Sequence, residues 1–146
     1  KTTKKVNELL KRETTCGLQK LKTYTYFTDK VNKIKDNLIL FLLKQKYRGN
    51  KVIAYGAAAK GNTLLNYIGL KKDLINFVVD KLKYKQGKFL PGSHIPIKHE
   101  RMIIKLKPKY ILILPWNIKN DIIDQLSYIK NWNGKFIIAI PKLKIL

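Results

Sequence analysis

Four runs of apolar, largely β-branched residues decide what this chain can fold into. They are Val52–Tyr55, Ile75–Asp80, Tyr110–Leu114 and Lys135–Ile140. Each is a continuous run rather than an alternating one, as expected of a strand covered on both faces. Helical or irregular segments separate them, so the order from residue 51 is β-α-β, a loop with a short helix, then β-α-β. Crossovers of this length join parallel strands, and right-handed crossovers place helices on both sides of an open sheet. The expected fold class is α/β: a Rossmann-like open parallel sheet of about four strands with flanking helices, preceded by an N-terminal helical segment.

The helices follow from apolar spacing. Lys4–Glu13 carries Val6, Leu9 and Leu10 at helical intervals, and Thr14, Thr15 and Gly17 offer a break. From Leu18 to Tyr47 the residues Leu21, Tyr24, Phe27, Val31, Ile34, Leu38, Phe41 and Leu42 recur at spacings of three and four. That stripe predicts one long helix covering a face of the sheet, stopped by Gly49-Asn50. Residues 1–49 are therefore expected to be a helical segment packing on an α/β domain of residues 50–146. Further helices are expected over Lys60–Ile68, His99–Leu106 and Ile118–Trp132. Between Lys81 and Lys98 lies a long irregular segment holding Gly87, Pro91, Gly92 and Pro96. A loop of this length in a small domain is usually functional.

Composition narrows the class of partner. The formal net charge of +22 would suit a polyanion. Yet arginine, the residue of bidentate base and phosphate contacts, occurs only at Arg12, Arg48 and Arg101, and the lysines are scattered. The charge reads as codon bias, and nucleic acid is not the expected partner. The apolar runs are too short and too broken by lysine to span a membrane. The basic start, Lys1-Thr2-Thr3-Lys4-Lys5, lacks the apolar core of a secretory leader. A single cysteine, Cys16, permits no internal disulfide, in keeping with the cytoplasm, and reads as a small apolar filler rather than a nucleophile. The two histidines, His94 and His99, have no second cysteine or adjacent acid with which to build a metal site.

In such a sheet, ligands bind where loops leave the carboxyl ends of the strands. Here those ends are Gly56–Gly61, Asp80–Lys85 and Pro115–Asn117. The first follows strand Val52–Tyr55 and enters a helix whose first turn holds Lys60, Asn62 and Thr63. Against Gly-x-Gly-x-x-Gly the loop offers Gly56, Ala58 and Gly61, so the middle glycine is missing. Against the P-loop pattern, Gly56 and Gly61 are correctly separated, but Asn62 replaces the lysine and Lys60 comes two residues early. Orthodox NAD binding and ATP hydrolysis are not expected. Free N–H groups, the helix dipole and Lys60 still suit a phosphate; a tight turn with alanines for close packing is the plainer alternative. Asp80 lies 19 residues after Gly61, the placement of an acid that accepts from ribose hydroxyls. Lys83, Tyr84, Lys85 and Gln86 follow it and are placed to meet phosphate and base. His94, in the rigid turn Pro91-Gly92-Ser93-His94-Ile95-Pro96, could donate to a phosphate. Trp116 and Asn117 could stack on and bond to a sugar or base, with a core lid as the other role for Trp116.

The wording of several segments resembles one family. Tyr55-Gly56-Ala57-Ala58-Ala59-Lys60-Gly61-Asn62-Thr63-Leu64-Leu65-Asn66-Tyr67 is similar to the C-terminal domain of S-adenosylmethionine-dependent sugar C-methyltransferases. So are Val78-Val79-Asp80, Lys85 to Ile97, Ile111 to Asn117 and Gly134 to Pro141. Gly17-Leu18 and Thr23 to Phe27 resemble the segment that precedes this domain.

The resemblance implies a three-part enzyme: a zinc-binding segment, a central methyl-donor domain, and the C-terminal domain seen here. The family's proposed proton-abstracting residues lie upstream, so no catalytic residue carries over. It implies a nucleotide-linked deoxysugar as substrate and S-adenosylmethionine bound elsewhere in the full enzyme, with no cofactor on this chain. It implies that the loops at Gly56–Asn62, Asp80 and Trp116 face a methyl-donor domain, whether on the same protein or a partner chain. The substrate-binding residues expected are Tyr55, Gly56, Ala57, Lys60, Gly61, Asn62, Asp80, Lys85, His94, Trp116 and Asn117. The rival readings are a basic nucleic-acid-binding domain and a Rossmann-like nucleotide-binding protein without methyl transfer.

Overall fold

Residues 3–146 are described by a computed structural model. They divide into two compact units, one ending at Lys33 and the other spanning Ile34–Leu146. The first holds helix α1 (Lys4–Thr15) and the start of helix α2 (Leu21–Tyr47). None of the α1 residues is buried, and Leu9, Leu10, Leu21 and Phe27 stay exposed.

The second unit is built on the apolar runs. Strands β1 (Val52–Tyr55), β2 (Val78–Val79), β3 (Ile97–Lys98), β4 (Tyr110–Ile113), β5 (Lys135–Ile138) and β6 (Lys144–Ile145) form one sheet in the order β3-β2-β1-β4-β5-β6. All pairs are parallel except β5 with β6. In β1 and β4 the register sets Ile53 beside Ile111 and Ala54 beside Leu112. Alternate residues then enter opposite cores. Ala54, Val78, Leu112 and Ile137 pack with Leu38 and Leu42 of α2 and with Leu64, Leu65 and Ile68 of helix α3 (Ala59–Ile68). Ile53, Val79, Ile111 and Phe136 pack with Ile103 of helix α4 (Arg101–Leu106) and with Ile122 of helix α5 (Lys119–Gln125). Both faces are covered, which is why the strands read as unbroken apolar runs.

The sheet has two more strands than the four expected. β3 and β6 span only two residues each, too short to leave an apolar signature. The expected strand Ile75–Asp80 pairs only at Val78–Val79, because the Leu74 and Ile75 N–H groups both turn back to the Lys71 carbonyl. The helix expected over Ile118–Trp132 is interrupted. After α5 the chain tightens into a 3₁₀ turn over Ser127–Trp132. Three residues per turn bring Ile129 under Leu126, its N–H 3.0 Å from the Leu126 carbonyl. The turn also lets Trp132 donate to the Pro108 carbonyl at 3.1 Å.

β1 is flanked by β2 on one side and β4 on the other, so the strand order reverses there. The crevice beyond the carboxyl ends of β1 and β4 is the place where such sheets bind ligands.

Candidate site at the carboxyl edge of the sheet

Gly56 makes the bend that ends β1. Its φ is +87°, and a β-carbon there would meet Pro115 Cδ at 2.7 Å. Both facts demand glycine. Ala57 and Ala58 follow, and α3 begins at Ala59 with Ala58 as a cap that offers no side-chain hydrogen bond. Gly61 sits in the first turn of α3, and a β-carbon on it would run into Leu114. The glycines of this loop are thus set by close packing of the turn against Leu114, just past β4, and Pro115.

Asp80, at the end of β2, is buried. Its Oδ2 accepts from the Ala57 N–H at 2.7 Å and its Oδ1 from the Leu82 N–H at 2.9 Å. Lys85 Nζ adds an ion pair to Oδ2 at 3.4 Å and donates to the Ala57 carbonyl at 2.9 Å. Gln86 Nε2 donates to the Asp80 carbonyl at 2.8 Å. The sequence suggested an Asp80 carboxylate turned toward a ribose. The structure instead turns it inward, where it ties the β1–α3 bend to the loop after β2. Lys85 is held by the same junction.

Two clefts flank the bend. The first, about 390 Å³, is lined by Ala57, Ala58, Asn62, Tyr84, Lys85 and Phe89, among others. Among the described residues, its charged lining residues are Lys85 and Lys88. The second, about 400 Å³, is lined by Tyr55, Gly56, Asp80, Pro115, Asp121 and Gln125, among others. It opens beyond the ends of β1 and β4.

Two partners of Tyr55 that sequence reading missed, Glu100 and Gln125, lie beside this second cleft. The Tyr55 hydroxyl donates to Glu100 Oε1 at 2.6 Å, and Gln125 Nε2 donates to the Tyr55 oxygen at 2.9 Å and to Glu100 Oε1 at 3.0 Å. Burial, and then the bond to the Glu100 carboxylate, raise the Tyr55 phenol well above its ordinary pKa of 10.0. Glu100 and Gln125 stand 45 and 70 positions from Tyr55, so no local pattern announces the trio.

The structure brings Tyr55, Gly56, Ala57, Asn62, Asp80 and Lys85 to the walls of one cleft or the other. It does not bring the rest. Lys60 is exposed on the first turn of α3 and lines neither cleft. Gly61 packs on Leu114. His94 is exposed, with φ +55°, and lines neither cleft, in a turn fastened on and just past α3: Asn66 donates to the Pro91 carbonyl at 2.9 Å and Lys71 to the Gly92 carbonyl at 2.8 Å. Trp116 packs against both cores at the edge of the sheet, the lid role, and Asn117 is exposed beside it. Among the described residues no group of three or more His, Cys, Asp or Glu could hold a metal. No helix among them is long and apolar enough to cross a membrane.

The family model described as the C-methyltransferase C-terminal domain matches residues 1–141. The chain belongs to this family. C-methyltransferase NovU of Streptomyces niveus is 34% identical over 141 residues, which is 97% of this chain and 34% of that protein. The chain thus spans about a third of the length of this curated relative. A crystal structure of UDP-D-quinovosamine 4-dehydrogenase from Vibrio fischeri matches with a TM-score of 0.46 at 20% identity, over 66% of this chain and 93% of that one. The family assignment carries over a domain of methyltransferases, and the site described above is the carboxyl edge of that domain's sheet.

Proposed function

We propose that this chain is the substrate-binding C-terminal domain of an S-adenosylmethionine-dependent sugar C-methyltransferase. It holds a nucleotide-linked deoxysugar at the carboxyl edge of the sheet, in the cytoplasm. Residues 50–146 carry the binding site, and residues 1–49 are the helical segment whose end, with Leu38 and Leu42, completes the core beneath it. The methyl donor belongs to another domain, in the same protein or a partner chain. Asp80 supports that division: its carboxylate already accepts from Ala57, Leu82 and Lys85, so no acid at the end of β2 remains to hold the ribose of a second nucleotide.

The observation that carries the reading is the uncapped start of α3 beside a lysine-lined cleft. N–H groups in a helix's first turn lack intrahelical acceptors, and no side chain here replaces them. They attract a diphosphate, and Lys60 in the same turn supplies counter-charge. In the full enzyme the reaction is loss of a proton from a carbon next to the sugar keto group, then attack of that carbon on the donor methyl. This domain's part is to hold and orient the sugar for the other domain. Calorimetric titration with a nucleotide-linked 4-keto sugar tests this. Heat of binding that weakens with Lys60→Ala is expected; no heat, or no loss in the variant, overturns it.

A further inference from the structure

We propose that the two N-terminal helices are a docking surface for the methyl-donor domain, seating Val6, Leu9 and Leu10 of α1 and Tyr24 and Phe27 of α2 on an apolar face with an acidic rim. This rests on the methyltransferase reading and deepens it by naming the surface that the partner takes.

The unit that ends at Lys33 has no core. Among its described residues none is buried. On α1, Val6, Leu9 and Leu10 share one helical face, and Leu9 and Leu10 are 53% and 51% exposed. On α2, Tyr24 and Phe27 begin the apolar stripe that Val31, Ile34 and Leu38 continue. Leu38 is fully buried, whereas Tyr24 and Phe27 are 53% and 64% exposed. One helix thus carries one stripe that is covered toward its end and bare at its start. A 12-residue helix such as α1 is marginal in water by itself and is stabilised by packing its apolar face. Large apolar side chains gathered on two consecutive helices, all of them uncovered, mark a contact with another protein surface.

The surface is shaped in advance. Gly17, with φ +71°, turns the chain after α1. The Leu18 N–H reaches the Glu13 carbonyl at 3.1 Å, and the Cys16 N–H reaches the Arg12 carbonyl at 2.8 Å. Across the turn, Thr23 Oγ1 donates to the Gly17 carbonyl at 2.7 Å and the Tyr24 hydroxyl to the Leu18 carbonyl at 2.6 Å. A partner meets two helices with a fixed turn, so little affinity is lost to ordering them.

Charge and length choose the occupant. From Lys4 to Lys33, eight basic residues stand against Glu8, Glu13 and Asp29. A second copy docked by two-fold symmetry would set this basic surface against itself, and like charges repel. An apolar face rimmed by acids is complementary instead. The family model takes in both helices, while the chain spans only 34% of C-methyltransferase NovU. Most of such an enzyme lies outside the matched third, and the donor-binding part with it. That part is the occupant.

Amide hydrogen exchange over α1 tests this. It is read in the dilute chain alone and in a hybrid in which the chain replaces the matched third of NovU. Fast exchange is expected in the chain alone, slowed about tenfold or more in the hybrid. Leu9→Ser with Leu10→Ser should return α1 of the hybrid to fast exchange; both positions are exposed, so the chain's own fold is kept. Calorimetric binding of S-adenosylmethionine reports that the donor part of the hybrid is folded. Should it misfold, NovU itself is read over the segment aligned with α1. Fast exchange in a hybrid that binds S-adenosylmethionine, or in NovU, overturns the surface. So does slow exchange already present in the dilute chain, and so does protection that grows with the chain's own concentration, which makes a second copy the occupant. No arm contains a sugar, so failure of this surface and failure of the sugar-binding reading are separate results.

Discussion

Lys85 Nζ lies 3.4 Å from Asp80 Oδ2, with the Asp80 side chain 9% exposed and that of Lys85 26% exposed. The two residues are five apart in sequence, yet their shared neighbour is Ala57, whose N–H goes to Asp80 and whose carbonyl accepts from Lys85. They hold the residue Ala57 through the two peptide groups that flank it. Asp80 also holds the Leu82 N–H, so its loss strands more donors than loss of Lys85 does. Asp80→Ala should cost about 2–3 kcal/mol and Lys85→Met about 1 kcal/mol, measured by urea unfolding. An equal or reversed order would show that the clamp is not centred on the carboxylate.

Gly61→Ala sets two effects against each other. Within a helix, alanine is favoured over glycine by about 1 kcal/mol. Here the new methyl would overlap the Leu114 side chain, which is fully buried and has nowhere to go. Overpacking of this kind costs about 1–3 kcal/mol, so the variant should be less stable by a net 1 kcal/mol or so. A thermal melt reads the sign directly, and a stabilised Gly61→Ala would mean that α3 and β4 can move apart.

The Tyr55 phenol has its pKa raised above 10.0, chiefly by burial and next by its bond to Glu100. The neutral form is therefore favoured in the folded state. The stability this gives is fully present below pH 10 and is lost as pH rises from there through the higher folded value, because the unfolded chain ionises first. Lysines titrate in the same range, so the effect is read as a difference. Tyr55→Phe should cost about 1–2 kcal/mol at pH 8, where Glu100 and Gln125 lose their shared partner, and less at pH 10.5. A gap between wild type and variant that is the same at both pH values counts against the trio.

The fold was legible because its signals are local. Val52–Tyr55, Tyr110–Leu114 and Lys135–Ile140 are apolar runs bounded by glycine or proline punctuation, and a parallel strand forms within each. β3 and β6 were not legible, since two residues on a sheet edge carry no period. The bend at Gly56 was legible as a turn, but its chemistry was not. Spacing alone made Asp80 a ribose ligand; only the fold reveals that the loop after β2 returns Lys85 and Leu82 N–H to the same carboxylate. Gln125 and Glu100 meet Tyr55 through the packing of α4 and α5 on one face, a long-range consequence of topology. His94 lines neither cleft, and its turn is fastened to Asn66 and Lys71, on and just past α3.

The end of α2 supplies the last test. Leu38 and Leu42 are 0% and 1% exposed in the core beneath the sheet, and Phe41 meets Tyr110 of β4 edge-on with ring centroids 5.1 Å apart. Gln45, also buried, accepts from Asn50 Nδ2 at 2.8 Å just before β1. Burying two leucines contributes about 2–5 kcal/mol each by the cost of their truncation to alanine. That is comparable to the whole stability of a domain this size, so the sheet cannot dispense with this helix. A chain of residues 34–146 should give a cooperative melt of its own by circular dichroism, whereas residues 50–146, starting at the predicted α/β boundary, should not. A cooperative transition in the shorter chain would mean that α3 alone seals that face, and Leu38→Ala in the longer chain should then cost under about 1 kcal/mol instead of the 2 or more expected here.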